Sequence, residues 1–388
     1  MSKASKGEAE LFLGAGASIP WPKTKSGQFL KRYFTPFLED GATPWITNAE
    51  ATLGVAVAGD VALPFSVSLK SSPTQSPASY VVSPTSHYVR YSAEEIHKID
   101  SPSQRTLLRA AVSPLSAFCE YGRLDEVVYV NNWLLSTNLY PDMEWHQLVA
   151  ILEALRKAYP TLPIVFRSID LATRGELHGW LKGLGARMVF SRRVNIVHAG
   201  DSEVARKPDV KKDRKLLKKT SYTLLESGDL KPEHFPRIEE LYNLLYLEKY
   251  SALNPAFTAR FLQRMHDDKV WRFAAFEKNG RIDSVTATFS VDGVMTSPLV
   301  GYDTSLPRKL GLYRLAYMIA LEHGLQAGDV INSSAGVAHF KTRRGTRPYR
   351  EYNAVFDSHV SPRRRRPWKL IQAIVDGAAA PLIEHYDL

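Results

Sequence analysis

Residues 301–324 read GYDTSLPRKLGLYRLAYMIALEHG, and the residue types gathered there suit the binding of a pyrophosphate. The chain leaves the apolar stretch Met295–Val300, passes Pro307, Arg308, Lys309 and Gly311, and then repeats apolar residues at Leu312, Leu315, Ala316 and Ile319. That i, i+3, i+4, i+7 spacing predicts a helix. A loop feeding a helix amino terminus turns several backbone N–H groups outward, where the helix dipole also favours negative charge. Arg308 and Lys309 add side-chain donors, and Gly311 lets the backbone approach a ligand with no Cβ in the way. Arg308, Lys309, Leu310, Gly311, Leu312 and Tyr313 are the expected cradle. The competing reading is a surface loop whose glycine permits a turn.

Other residues bear on chemistry with less pattern around them. His339 has the side chain of a proton shuttle, and Tyr349, Glu351 and Tyr352 are possible acids or bases on a predicted strand. Two basic runs, 205–222 and 361–368, could follow the phosphates of RNA. The first also carries Asp209 and Asp213 at i, i+4 with Leu216 and Leu217, the pattern of a solvated linker helix. The net charge of +10 favours an anionic partner: nucleic acid, an acidic membrane surface or a phosphate-bearing cofactor. A single cysteine, Cys119, excludes a disulfide framework and a thiolate metal site within one chain, and is expected to be a buried, inert thiol. No His/Asp/Glu group has metal-ligand spacing, LFLGAGAS lacks the Gly-Lys-Ser/Thr of a P-loop, and no Gly-x-Ser-x-Gly elbow occurs. Neither metal nor serine hydrolase chemistry is expected.

The elements that must position these residues read most clearly in the second half. YTLLES is a strand, Ile238, Leu241, Tyr242 and Leu245 form one helical stripe, and Phe257, Phe261 and Met265 continue as a second helix behind an Asn254-Pro255 cap. Asn279-Gly280 and Asp292-Gly293 then mark two hairpin turns, which makes residues 271–303 a three-strand antiparallel meander. The helix from Leu312 follows, stopped by Gly324 and Gly328, then a strand in DVINSS, a short helix or loop in GVAHFKTRRG and a last strand in YREYNAVF.

The first half repeats the order. DEVVYVNN is a strand, Trp145, Leu148, Val149 and Leu152 a helix, PIVFRSI a strand, Leu177, Trp180, Leu181 and Leu184 a helix, and RMVFS and RVNIV two closing strands. Matching elements keep nearly constant separations, as Trp145 to Leu312, Ile164 to Val330 and Met188 to Arg350 show, which indicates a tandem duplication. With 388 residues, two units are also the expectation from length. We expect 1–205 and 206–388 as the units, with residues 1–75 an extension without a counterpart.

The order strand, two helices, three antiparallel strands, helix, strand, short helix, strand over 222–356 resembles the GNAT acyltransferase fold. In that family the fourth strand ends in a loop of pattern Arg/Gln-x-x-Gly-x-Gly/Ala, matched here by Arg308 and Gly311, while Tyr313 replaces the usual small residue. Tandem GNAT-like halves resemble the Fem-type peptidoglycan bridge enzymes and related tandem acetyltransferases, which carry an aromatic-Lys and then a Gly after the last helix, similar to Phe340, Lys341 and Gly345. The fold class expected is therefore α/β, with a mixed parallel and antiparallel sheet in two GNAT-like domains.

The resemblance implies an acyl group lying where the fourth and fifth strands of the second half part, lined by Tyr302, Asp303, Asn332, Ser333 and Ser334. It places Lys341 near the donor's phosphate or carbonyl, a task for a compact charge. In the first half NNWLLSTNLYP stands where the second has its cradle, without cation or glycine, so Asn132 and Arg167 are expected at an acceptor site in a degenerate half. The expected activity is N-acyl transfer from an acyl-CoA thioester to a small-molecule or peptide amine by direct attack, with no metal. A Fem-like transfer from aminoacyl-tRNA, an acyl-carrier-protein donor and a non-catalytic binding module are the alternatives. No stretch reaches the ~20 apolar residues of a membrane span, and Glu8 and Glu10 interrupt any signal-peptide pattern, so the expected compartment is the cytoplasm.

Overall fold

Two hairpins fix the register of the second half. Asn279-Gly280 and Asp292-Gly293 all have positive φ, the type I′ geometry whose twist matches paired strands. They join β8 (Arg272–Lys278), β9 (Arg281–Val291) and β10 (Val294–Tyr302), and β7 (Thr223–Glu226) adds to the outer edge. The computed structural model describes residues 7–14, 16–69, 78–198 and 200–379.

The first half contains β1 (Glu10–Leu13), α1 (Lys25–Asp40), β2 (Thr52–Ala58), β3 (Val61–Ser68), α2 (Tyr91–Glu95), α3 (Pro102–Tyr121), β4 (Val127–Val130), α4 (Trp145–Ala158), β5 (Ile164–Asp170), α5 (Gly175–Gly183) and β6 (Arg187–Val197). The linker forms α6 (Glu203–Arg206) and α7 (Pro208–Lys219). The second half adds α8 (Phe235–Asn243), α9 (Ala259–Asp267), α10 (Leu312–Ala327), β11 (Val330–Asn332), α11 (Ala338–Thr342), β12 (Arg347–Phe356) and α12 (Pro362–Ile374).

One sheet runs through both halves in the order β1-β2-β3-β4-β5-β12-β6-β11-β10-β9-β8-β7. The order is symmetric about the β12–β6 pair. In each half the first four strands pair antiparallel, and the fourth and fifth, β4–β5 and β10–β11, pair parallel. The closing strands are exchanged: β6 of the first half pairs with β11, and β12 of the second with β5. This is the mixed α/β fold of two GNAT-like halves. The division at 205/206 separates, as we propose, two duplicated segments; Tyr33 and Phe37 of α1 and Phe261 and Trp271 of the second half belong to one apolar cluster.

Two expectations need correction. Residues 1–75 are no extension, because β1, α1, β2 and β3 occupy in the first half the places that β7, the α8–α9 pair, β8 and β9 hold in the second; residues 1–6 and 70–75 lie outside the described residues. RMVFS and RVNIV are one strand, β6, carrying a bulge: Glu351 faces Arg192 and Tyr352 faces Phe190, which leaves Ser191 as the extra residue.

Candidate functional site

The two parallel strand pairs end differently. In the first half, β4 and β5 stay paired from Val128↔Ile164 to Val130↔Phe166, and the opening beyond is filled by residues 131–140. Trp133, Leu134 and Leu135 are buried there. The Asn132 side chain donates to Ser66 Oγ (2.7 Å) and to the Val81 carbonyl (2.9 Å), while its oxygen accepts from the Arg167 guanidinium (2.6 Å). Arg167 also donates to the Leu135 carbonyl, and a register shift opposite β12, with Ser168 at positive φ, sets it in this position. Burial lowers the Arg167 pKa from its ordinary value. Asn132 and Arg167 therefore hold the chain's own loop in the opening.

The second opening is not filled in this way. β10 and β11 pair over as many positions as β4 and β5, from Val294↔Val330 to Thr296↔Asn332. β10 then bulges at Ser297-Pro298 and runs on to Tyr302, while β11 turns away. Ser297, Tyr313, Ser333 and Phe340 around this gap are half-buried. Past Asn332 the loop is tightly turned, with positive φ at Ser334, Gly336 and Val337. The Asn332 side-chain oxygen accepts from the Ser334 amide (2.9 Å), and Lys341 Nζ donates to the carbonyls of Ser333 (2.6 Å), Ala335 (2.7 Å) and Ser334 (3.4 Å). Lys341 is buried, and burial, with the Arg192 charge adding to it, pushes its pKa down to about 7. The structure thus brings Asn332, Ser333, Ser334 and Lys341 together.

The remaining expected residues lie apart from that loop. Asp303 is buried among Arg237 (2.7 Å), Arg281 (2.9 Å) and Ser305. Burial works to raise its pKa, but the Ser305 and Arg237 hydrogen bonds outweigh that and hold it below the usual carboxylate range. The Tyr302 hydroxyl accepts from Lys249 (2.9 Å), and its ring packs on Tyr313. His339 is exposed on α11.

At the amino end of α10, Gly311 has φ +70° and no side chain caps the helix. Arg308 and Lys309 are exposed. A Cβ at Gly311 would lie 2.6 Å from a terminal carbon of Leu216, so the glycine meets the linker helix α7. That helix is clamped in place. Asp213 on α7 accepts from Arg314 and Arg344 (2.6 Å each), and Asp209 pairs with Arg343 (2.7 Å). The carboxylates of the basic run face inward while Lys211, Lys212, Lys215, Lys218 and Lys219 are exposed, close to the helix end. The clamp also positions Tyr313 and Tyr317, which pack on Phe340 at 5.0 and 5.1 Å.

Two residues that the pattern did not mark complete the picture. Arg192 on β6 binds both oxygens of Glu351 on β12 (2.8 and 3.1 Å), the Ser136 carbonyl (2.6 Å), Thr137 Oγ1 (2.9 Å) and Ser334 Oγ (3.2 Å). It joins the loop at the first opening to the loop at the second. Tyr317 places a buried hydroxyl beside the Ser333 side chain, and burial pushes its pKa up to about 12 against the opposing effect of that contact. An apolar stripe at helical spacing would have flagged Tyr317; nothing in the local sequence around Arg192 distinguishes it.

Among the described residues no group of three His, Cys, Asp or Glu could hold a metal, and no helix is long and apolar enough to cross a membrane. Cys119 is buried, and burial pushes its thiol up to about 12. No protein-family model and no curated protein matches the chain. Among solved structures it is similar to L-PGS from Bacillus licheniformis, at 13% identity over 59% of this chain and 78% of that one with a TM-score of 0.43. It is similar to FemX at 9% identity over 63% and 83%, TM-score 0.47. A tandem GNAT protein from the clavulanic acid biosynthesis pathway matches at 10% identity over 90% and 98%, TM-score 0.40. The chain's own strand order, with a parallel fourth and fifth strand in each half, is that of a tandem GNAT-like fold.

Proposed function

We propose that the protein is a GNAT-type N-acyltransferase that moves an acyl group from a thioester of coenzyme A to an amine, with the second half as the reacting one. The supporting observation is the asymmetry of the two strand openings: one is filled by residues 131–140, and the other is left beside a helix end that no side chain caps. The donor's pyrophosphate lies against the free amides of Leu312 and Tyr313 with Arg308 and Lys309 over it, and its acyl carbonyl enters the gap past Thr296. Lys341 fixes the loop of Asn332, Ser333 and Ser334 that forms one wall.

In the reaction the amine nitrogen bonds to the carbonyl carbon, the C=O electron pair moves to oxygen, and collapse of the adduct breaks the C–S bond. The amine's surplus proton leaves to water, and the thiolate takes a proton from Tyr317, whose hydroxyl stays protonated well above neutral pH. Tyr317 is reprotonated from water. No covalent intermediate on the chain is involved. An acceptor amine reaches the carbonyl from the groove between the halves, where Arg192 and Glu351 hold the walls together.

A thermal-shift titration with coenzyme A and acetyl-coenzyme A, repeated on Gly311→Glu, tests the reading. A concentration-dependent rise that the variant loses supports it. No rise at millimolar ligand removes free coenzyme A as the donor. The outward lysines of α7 favour one second reading, a donor carried on aminoacyl-tRNA, which predicts RNA binding that weakens steeply with salt. A binding module without catalysis would keep its function when Gly311 or Lys341 is replaced.

A further inference from the structure

The first half contains an insertion, between β3 and β4, that has no counterpart in the second, and its main element is α3. This helix has 20 residues, of which, among the described residues, only Cys119 is buried. Its inner side packs through Val112, Leu115 and Cys119 into the same apolar cluster as Trp368, Ile371 and Val375 of the α12 region. The outer side is apolar too. Leu107, Ala110, Pro114, Ala117 and Tyr121 fall at i, i+3, i+7, i+10 and i+14, one face of a helix, and all five are exposed, Leu107 at 72% and Tyr121 at 60%. A contiguous exposed apolar stripe marks an interaction surface.

α12 extends this face. Arg363 lies over the Tyr121 ring at 4.4 Å and donates to the Tyr121 carbonyl, and Gly122 abuts Pro367. The outward side of α12 presents Arg366, Lys369 and Leu370, with Ile374 at its edge, Leu370 and Ile374 each 38% exposed. Arg363, Arg366 and Lys369 of α12 adjoin the stripe, whereas Arg105 and Arg109 lie on the side of α3 away from it, and Glu120 is the one acidic residue of that helix.

We propose that the α3–α12 face docks on the surface of an anionic lipid bilayer, with the apolar stripe at the acyl boundary and the cations at the headgroups. The charge sign selects an acidic surface. The aliphatic stripe selects lipid over RNA, whose phosphates would meet the cations but whose bases prefer aromatic platforms and would leave Leu107, Pro114 and Leu370 uncovered. The helix lies on the membrane and does not span it, in keeping with the absence of any sufficiently apolar helix among the described residues. The inference is independent of the acyl-transfer reading.

Flotation of the full chain with vesicles tests it, using phosphatidylcholine alone and phosphatidylcholine with one quarter phosphatidylglycerol. The chain floats with the anionic vesicles, remains below with the neutral ones, and detaches as salt rises. Each cation at the surface contributes roughly fivefold to partitioning, so Arg366→Glu with Lys369→Glu lowers binding by more than about twentyfold. Leu107→Asp lowers it as well, and both variants keep the parent melting temperature because Arg366, Lys369 and Leu107 are exposed. Failure to float with either vesicle overturns the proposal, as does equal flotation with both. It is also overturned if nuclease treatment abolishes the association, or if Leu107→Asp instead dissolves a concentration-dependent dimer.

Discussion

Arg192 and Glu351 form a two-pronged ion pair, at 2.8 and 3.1 Å, between the two exchanged strands at the centre of the sheet. Glu351 is 2% exposed, and Arg192 spends its remaining donors on Ser136, Thr137 and Ser334. Removing one partner leaves the other charge buried, so Glu351→Ala should destabilise the protein by about 3 kcal/mol or more. The double variant Arg192→Met, Glu351→Met should recover most of that loss. Urea unfolding midpoints check both, and an additive double variant would show that the pair is not a unit.

Lys341 gives the fold a pH dependence of known sign. Its ordinary pKa is near 10.5 and burial pushes it down to about 7 in the folded chain. Between those values the unfolded state binds more protons than the folded one, so this contribution to stability is complete above the ordinary value, falls as pH falls, and is lost by about pH 7. The difference in unfolding free energy between the parent and Lys341→Met should therefore rise with pH across that window and be flat below it. A flat difference throughout would mean that the three carbonyls hold the proton at every pH.

Much of this arrangement was legible from periodicity. The type I′ dipeptides located the meander, and the stripes at 145–152 and 312–319 located α4 and α10. The exchange of β6 and β12 was not, because the alternation of a strand states which face is buried and says nothing of which neighbour it pairs with. The Asn254-Pro255 pair predicts a cap at Asn254 for the second helix of the α8–α9 pair, whereas Thr258 caps it by accepting from the Phe261 amide (3.1 Å). Asn254 instead donates to the Tyr246 and Ser251 carbonyls, a role that its local sequence shares with a cap. At the site, Asn332, Ser333, Ser334 and Lys341 converge as sequence order allowed. Asp303 does not, because Arg237 and Arg281, distant in sequence, draw it into their own cluster.

Gly311 separates two effects that a single substitution mixes. Its φ of +70° costs a side chain about 1 kcal/mol, and a Cβ there must also move Leu216. Gly311→Ala should therefore destabilise by about 1–2 kcal/mol, and adding Leu216→Ala should remove the packing part while leaving the backbone part. Thermal unfolding of the two single variants and the double variant measures the division, and coupling close to zero would place Leu216 clear of the glycine.

Tyr317 is the sharpest test of the proposed chemistry, because its hydroxyl has few structural duties. It is buried, with the Ser333 side chain as its polar neighbour, so Tyr317→Phe should change stability by no more than about 1 kcal/mol in either direction. A proton donor to the leaving thiolate contributes on the order of a hundredfold, so kcat for thiol release should fall by about that factor with KM little changed. Because burial holds its pKa near 12, the tyrosine-dependent part of the rate should persist through neutral and mildly alkaline pH. If Tyr317→Phe gains stability and loses no rate, the leaving group takes its proton from elsewhere, and the polar loop at Asn332–Ser334, bound by Lys341, becomes the place to look for the donor.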